Sequence, residues 1–245
     1  MAWYREWFGE DYLELYSHRD AEEAEAHVDF VEAHLGPPPP RAAVLDLCCG
    51  AGRHTAALRR RGRRALGVDL SLTLLAYNRD IPRVRGDMRA LPFTAQSFDW
   101  VLNFFTSFGY FEGERENFRV LEEIVRVLKP EGKFLVDLLN PEAALAGLVP
   151  EESFANDGRE VAIERWYDPV ARRLNKRIRI RERGRPPRAF LESVRVYSAE
   201  EVEIGLRWAG LEATGMYGDF TPTPYGRASE RLIVVGHKPA RRPAV

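Results

Sequence analysis

Three aspartates mark where this chain could do chemistry. Asp46 stands ahead of the turn Gly50-Ala51-Gly52 in VLDLCCGAGRHT (44–55), Asp69 lies in GVDLS (67–71), and Asp87 lies in GDMRALPF (86–93). Glycines let backbone come close to a ligand. A helix starting near His54 would offer unpaired N–H groups to an anion. Such a turn ordinarily holds a nucleotide, although glycines alone also suit a purely structural turn. The dinucleotide fingerprint further requires a third glycine, where this chain has Thr55.

The acids discriminate better than the glycines. Two negative charges 4 Å apart repel by roughly 4 kcal/mol in a moderately polar site. A pyrophosphate is therefore a poor neighbour for Asp46. A ligand carrying an ammonium and a sulfonium gains there instead, and S-adenosylmethionine is such a ligand. Its carboxylate can still use the loop N–H groups. Asp69, about twenty residues past the loop, is placed to accept both ribose hydroxyls, a feature that NAD would share. Asp87 would accept from an adenine amino group, with the Met88 N–H opposite the ring. Singly, each acid reads as a surface or capping residue. At three consecutive strand ends they form a more specific signal.

Strands and helices must alternate to place these acids. Apolar runs at Ala43–Leu47, Ala65–Val68, Trp100–Phe104 and Phe134–Leu139 are separated by helical patterns near 54–61, 72–79 and 114–128. That alternation predicts a doubly wound α/β fold with a parallel sheet and helices on both faces. LKPEG (128–132) ends the third helix and turns into the next strand. Residues 1–35 read as helical, and GPPPP (36–40) stops that helix and acts as a stiff spacer. Period-two stretches from about 159 to 197 suggest inserted antiparallel strands. Ser198 and Glu201 form a capping box for a helix that Gly210 ends, and final strands fall near 211–218 and 230–237. The chain thus divides into an N-terminal helical lid and spacer (1–40), a cofactor-binding core (41–140), an inserted β substrate cap (141–197) and a C-terminal part that completes the sheet (198–245).

In order and spacing, VLDLCCGAGRHT, GVDLS, GDMRALPF, FDWVLNFFTSFGYF (98–111) and LKPEGKFLVDLLN (128–140) resemble the class I methyltransferases that use S-adenosylmethionine. The resemblance covers roughly residues 41–140. It implies a Rossmann-like, seven-stranded, mostly parallel sheet with one antiparallel strand from the C-terminal segments. It also implies that Asp46 and the Gly50–Gly52 loop face the methionine part, Asp69 the ribose, and Asp87 with Met88 the adenine. Asn103 and Phe104 would line the cofactor from the fourth strand, with Cys48 and Leu70 completing the set. Cys48-Cys49 departs from the family's usual G-C or G-S, which a loop acting through its backbone tolerates.

The acceptor is harder to read. Phe98, Trp100 and Phe104 read as core, whereas Phe105, Phe108, Tyr110 and Phe111 fall past the strand end. A ring face there could stabilise a sulfonium or an ammonium by about 0.5–2 kcal/mol. Some amino methyltransferases carry N-P-P-[YF] at this place; Asn103-Phe104-Phe105-Thr106 lacks both prolines, which counts against base methylation. Methyl transfer draws much of its rate from orientation in a dry pocket. A base is needed only for a nucleophile that arrives protonated. Tyr110, His18 and His54 are the candidates, against the plain readings of an exposed helix for His18 and a helix first turn for His54. Tyr12 and Tyr16, among the N-terminal aromatics, are candidates to touch substrate, as are Phe108, Tyr110 and Arg231. The alternative is that the N-terminal rings merely anchor their helix. No metal site is expected from five scattered histidines and one adjacent cysteine pair.

Arginines from Arg172 to Arg188 crowd the insertion. Arg177, Arg179 and Arg181 share one strand face, either as a phosphate-binding surface for RNA or as a solvated face paired with acids such as Glu160 and Glu164. The second reading is favoured, and the acidic N-terminal helix could also oppose these arginines. With a net charge of −1 over 245 residues, no global field recruits nucleic acid or membrane. The acidic N-terminus has no signal-peptide character, no apolar run is long enough to span a bilayer, and the two cysteines are adjacent. The expectation is a cytoplasmic methyltransferase acting on a nitrogen or oxygen of a small molecule. The competing readings are an RNA methyltransferase, a non-catalytic S-adenosylmethionine-binding module and, last, an NAD-dependent oxidoreductase.

Overall fold

A computed structural model describes residues 2–156 and 158–240. Residues 1, 157 and 241–245, which fall in the first, third and fourth segments named above, lie outside the described residues.

The N-terminal segment forms three helices rather than one: α1 (Tyr4–Trp7), α2 (Glu10–Leu15) and α3 (Ala21–Leu35). Gly9 separates the first two. Asp20 starts the third, its carboxylate accepting the Glu23 N–H at 2.9 Å. Gly36, at φ 74°, ends α3 ahead of the prolines.

The alternating core follows as β1 (Ala43–Leu47), α4 (Arg53–Arg60), β2 (Arg64–Asp69), α5 (Leu72–Tyr77), β3 (Arg83–Arg85), β4 (Phe98–Asn103), α6 (Glu114–Val127) and β5 (Leu128–Leu139). β5 starts earlier than expected. Leu128 already pairs with Phe98, and the LKPEG turn is absorbed as an irregularity, with Glu131 at φ 61°, before Lys133 pairs with Trp100. After α7 (Pro141–Ala146) come β6 (Glu151–Asn156), β7 (Arg159–Asp168), β8 (Arg173–Glu182) and β9 (Arg188–Arg195). α8 (Ala199–Ala209) carries the expected capping box and stops at left-handed Gly210. β10 (Glu212–Tyr217) and β11 (Arg231–His237) finish the described chain.

The main sheet has seven strands in the order β10-β11-β5-β4-β1-β2-β3. β11 runs antiparallel to both its neighbours, and the other strands run parallel to one another. One face packs Leu45, Leu47, Val101, Phe134 and Val136 against α6 and α8. The other packs Val44, Trp100, Leu102, Leu135 and Ile233 against α3 and α4. This is the doubly wound fold expected from the sequence. The insertion forms a separate antiparallel sheet, β6-β7-β8-β9. Strand order reverses between β1 and β4, and in open α/β sheets the crevice beyond the carboxyl ends at such a switch point is where ligands bind. Among the described residues no helix is long and apolar enough to cross a membrane.

Candidate active site

A cavity of about 1110 Å³ of atom-free space, part of it open to solvent, lies at that switch point. Its floor holds the three aspartates. Asp46, on β1, is buried and accepts the Thr55 hydroxyl at 2.6 Å. Burial pushes its carboxyl up to about 6, against the pull of the Thr55 hydrogen bonds and with a further push from the Asp69 charge. Asp69, at the end of β2, accepts the Gly50 N–H (2.9 Å) on one oxygen and the Ser71 N–H (2.8 Å) on the other. Burial raises its carboxyl too, while these N–H groups favour the charged form. Its two oxygens together offer about four lone-pair sites, so acceptor capacity remains for a further donor. Asp87 is gripped by Arg89, whose Nε and Nη2 donate to its two oxygens at 3.0 and 2.7 Å. Burial opposes its charge, yet the guanidinium holds the carboxyl below the usual range. The Asp87–Arg89 pairing was not foreseen from sequence.

Cys48, Gly50, Leu70, Met88 and Phe104 line the same cavity. Cys48 sits at φ 61°, a left-handed position unusual for a residue with a side chain, and burial pushes its thiol up. Two residues expected at the cofactor, Gly52 and Asn103, are not among those lining the cavity, although the neighbours Ala51 and Arg53 are. Gly52 caps α4 in a left-handed conformation, where a Cβ would meet Ile81 Cδ1 at 1.9 Å. Asn103 is buried and spends its amide on the Leu47 carbonyl at 2.9 Å.

The roof is aromatic. Tyr4, Phe8, Tyr12 and Tyr16 from the N-terminal segment face Phe105, Tyr110 and Phe111 from the loop after β4. Phe8 stacks on Tyr110 with centroids 5.7 Å apart. The inserted sheet holds the N-terminal segment in place. Trp7 is buried against Val161, Ile163, Ile178, Ile180 and Phe190, and its Nε1 donates to Glu192 at 2.5 Å. Arg188 clamps Asp11, and Arg159 reaches Asp11 and Glu14. On the core side, the Ser71 hydroxyl donates to the Phe8 carbonyl at 2.6 Å.

The expected acceptor residues divide. Tyr12, Tyr16 and Tyr110 line the cavity; Phe108, Arg231 and His18 do not. Phe108 is buried in the core against Tyr197. Arg231 is consumed by buried Asp137 (2.6 Å) and the Thr106 hydroxyl (2.9 Å), and Arg227 and Tyr225 nearby bond Glu142 and Asn140. His18 is exposed beside Tyr16. His54 lines the cavity but bonds buried His27 at 3.0 Å. Burial and the Arg53 charge hold it well below the usual imidazole range, and burial lowers His27 to about 4. Burial pushes the Tyr110 hydroxyl well up. The arginine-rich strand presents Arg177 and Arg179 to Glu164 at 2.8 and 2.5 Å, the paired solvated face favoured above.

Two lining residues carried no signal in the sequence. Arg19 and Arg53 both reach the cavity from loop and helix-start positions, where an arginine ordinarily faces solvent. Arg53 pairs with Glu23.

Known proteins share this architecture. A family model described as a methyltransferase domain matches residues 44–132. The cypemycin N-terminal methyltransferase of Streptomyces sp. is 31% identical over 201 residues, covering 78% of this chain and 81% of that protein. A crystal structure of an S-adenosylmethionine-dependent methyltransferase from Clostridium acetobutylicum superposes with a TM-score of 0.79 at 16% identity, covering 93% of this chain and 96% of that one. The S-adenosylmethionine-bound amino pentose methyltransferase from Micromonospora echinaspora superposes with a TM-score of 0.68 at 22% identity, covering 89% and 91%. The cavity chemistry fits that cofactor: the buried acids Asp46 and Asp69 suit its cationic groups, and aromatic rings line the opposite wall. The chain belongs to the class I S-adenosylmethionine-dependent methyltransferases.

Proposed function

We propose that this methyltransferase acts on a small molecule, at a nitrogen or oxygen, with an amine as the acceptor that the cavity suits best. The supporting observation is the cavity itself, which has acids on its floor and rings on its roof. When bound, S-adenosylmethionine supplies an electrophilic methyl group on a sulfonium. Asp46 would oppose the cationic methionine end, Asp69 would accept the ribose hydroxyls, and Asp87 with the Met88 N–H would take the adenine. Leu70, Cys48 and Phe104 would wall the donor. Tyr12, Tyr16, Phe105 and Tyr110 would exclude water and stack on the acceptor.

Among the described residues that line the cavity, the weakness of the candidate bases Tyr110 and His54 favours nitrogen. Burial makes Tyr110 hold its proton tightly, and burial with the Arg53 charge makes His54 a weak base whose ring nitrogen already bonds His27. An amine can shed its proton to water before it binds and then needs no base, whereas an alcohol does. The named relatives that methylate a peptide N-terminus and an amino pentose point the same way. The RNA reading is weakened because Glu164 pairs with two arginines of that face, Arg177 and Arg179. Radiolabelled donor should be incubated with panels of small amines, small alcohols and total tRNA. Label is expected in the amines; label confined to alcohols or tRNA would overturn this reading.

A further inference from the structure

Besides His54, five acidic or basic side chains line the cavity: Asp46, Asp69, Asp87, Arg19 and Arg53. Asp46 and Asp69 accept hydrogen bonds from the loop and helix α4, Asp87 has Arg89, and Arg53 has Glu23. Arg19 differs from the rest. Among the described residues no carboxylate lies within ion-pair distance of it, and its side chain makes one hydrogen bond, from Nη1 to the Tyr12 hydroxyl at 3.0 Å. Its guanidinium lies 4.5 Å from the centroid of the Tyr16 ring and 4.6 Å from that of Phe105.

The guanidinium carbon thus lies over both rings, and rings accept no conventional hydrogen bond from its N–H groups. A guanidinium has five donors in a fixed fork that matches a carboxylate, and Tyr12 uses one. The platform beneath it is itself fixed. Phe105 and Thr106 both adopt left-handed backbone, at φ 57° and 53°, a strained arrangement that persists only where surroundings enforce it. Asp137 enforces it, accepting the Phe105 N–H on its carboxylate (2.7 Å) and the Thr106 N–H on its carbonyl (2.9 Å), while Arg231 locks Asp137 from β11. The device therefore presents an unpaired cation, pre-oriented on a rigid ring, at the aromatic end of a cavity whose floor is acidic.

We infer that Arg19 is a carboxylate-binding residue. Two sources can supply the carboxylate: the methionyl end of the donor, or a methyl acceptor that bears an acid group. The inference rests on the reading that this cavity holds donor and acceptor together.

Calorimetry on the full chain with Arg19→Gln and Arg19→Lys separates the sources, using S-adenosylhomocysteine, 5′-methylthioadenosine (which lacks the amino-acid part) and benzoate as probes. If the donor supplies the carboxylate, Arg19→Gln weakens S-adenosylhomocysteine at least ten-fold and leaves methylthioadenosine unchanged. If the acceptor supplies it, S-adenosylhomocysteine affinity is unchanged. In that case benzoate, but not benzamide, binds the S-adenosylhomocysteine-loaded wild type and loses affinity ten-fold or more in Arg19→Gln. In either case Arg19→Lys, which keeps the charge without the fork, should recover only part of the loss. Unchanged affinities for both S-adenosylhomocysteine and benzoate in Arg19→Gln would overturn the proposal while leaving the cavity reading intact. Failure of the wild type to bind S-adenosylhomocysteine at all would overturn the cavity reading and this proposal with it.

Discussion

Asp46 gives the cavity a pH signature. Its carboxyl is raised from an ordinary 3.8 to about 6 by burial, with Asp69 pushing the same way and Thr55 and Arg53 opposing. The folded protein therefore holds this proton more tightly than the unfolded chain does. Asp46's contribution to stability falls as pH rises from about 4 through about 6 and is fully lost above that. Donor binding has the opposite sign, because the ammonium of the methionine part, which S-adenosylhomocysteine keeps, selects the ionised carboxylate. Affinity for S-adenosylhomocysteine should rise between pH 5 and pH 7, and Asp46→Asn should flatten that rise; a wild-type titration that is flat across this range would contradict the role. Asp46 and Asp69 were legible in the sequence because each lies at the carboxyl end of an apolar strand run, and Asp87 from its place in GDMRALPF, just past the short β3. Asn103 also ends a strand, but spacing alone could not show that its amide turns to the neighbouring Leu47 carbonyl. Arg19 was illegible because nothing in a loop arginine's context says which rings it will meet.

At the level of elements, the turn after β4 is the costly one. Its left-handed Phe105 and Thr106 depend on Asp137, which is wholly buried and paired with Arg231. Removing one partner of a buried pair strands the other charge, at a typical cost of about 3–5 kcal/mol. Asp137→Ala should therefore lower the denaturant-derived unfolding free energy by about 3 kcal/mol or more; a change within about 0.5 kcal/mol, typical of an ordinary surface site, would mean that the pair does not hold the turn. Arg231 was expected near substrate from its place in the chain. Only the antiparallel register of β11 on β5, which sets Arg231 opposite Leu139 and beside Asp137, shows its structural use. The core strands were legible because apolar runs and helical patterns alternate. The N-terminal breaks at Gly9 and Asp20 carried their own signals, a glycine and a capping aspartate, which the continuous run of helix-compatible residues masked. Strand β6, EESFAN, has no period-two apolar pattern and forms because β7 pairs with it.

On the scale of the whole molecule, the cavity is assembled from chain segments far apart in sequence. The core sheet supplies the acids, the N-terminal helices supply the roof, and the inserted sheet anchors that roof through Trp7, Arg159 and Arg188. The sequence suggested a lid and a cap as separate pieces; their packing against each other depends on tertiary contacts that no local pattern encodes. The central claim is that this composite cavity binds the methyl donor through the carboxylates at its strand ends, Asp69 foremost. A charge-assisted hydrogen bond contributes about 1.5–3 kcal/mol. Calorimetric titration of wild type and Asp69→Ala with S-adenosylhomocysteine tests the claim most directly, with matching thermal unfolding midpoints as the folding control. The account predicts at least a ten-fold loss of affinity in Asp69→Ala, and an affinity equal to that of the wild type would contradict it.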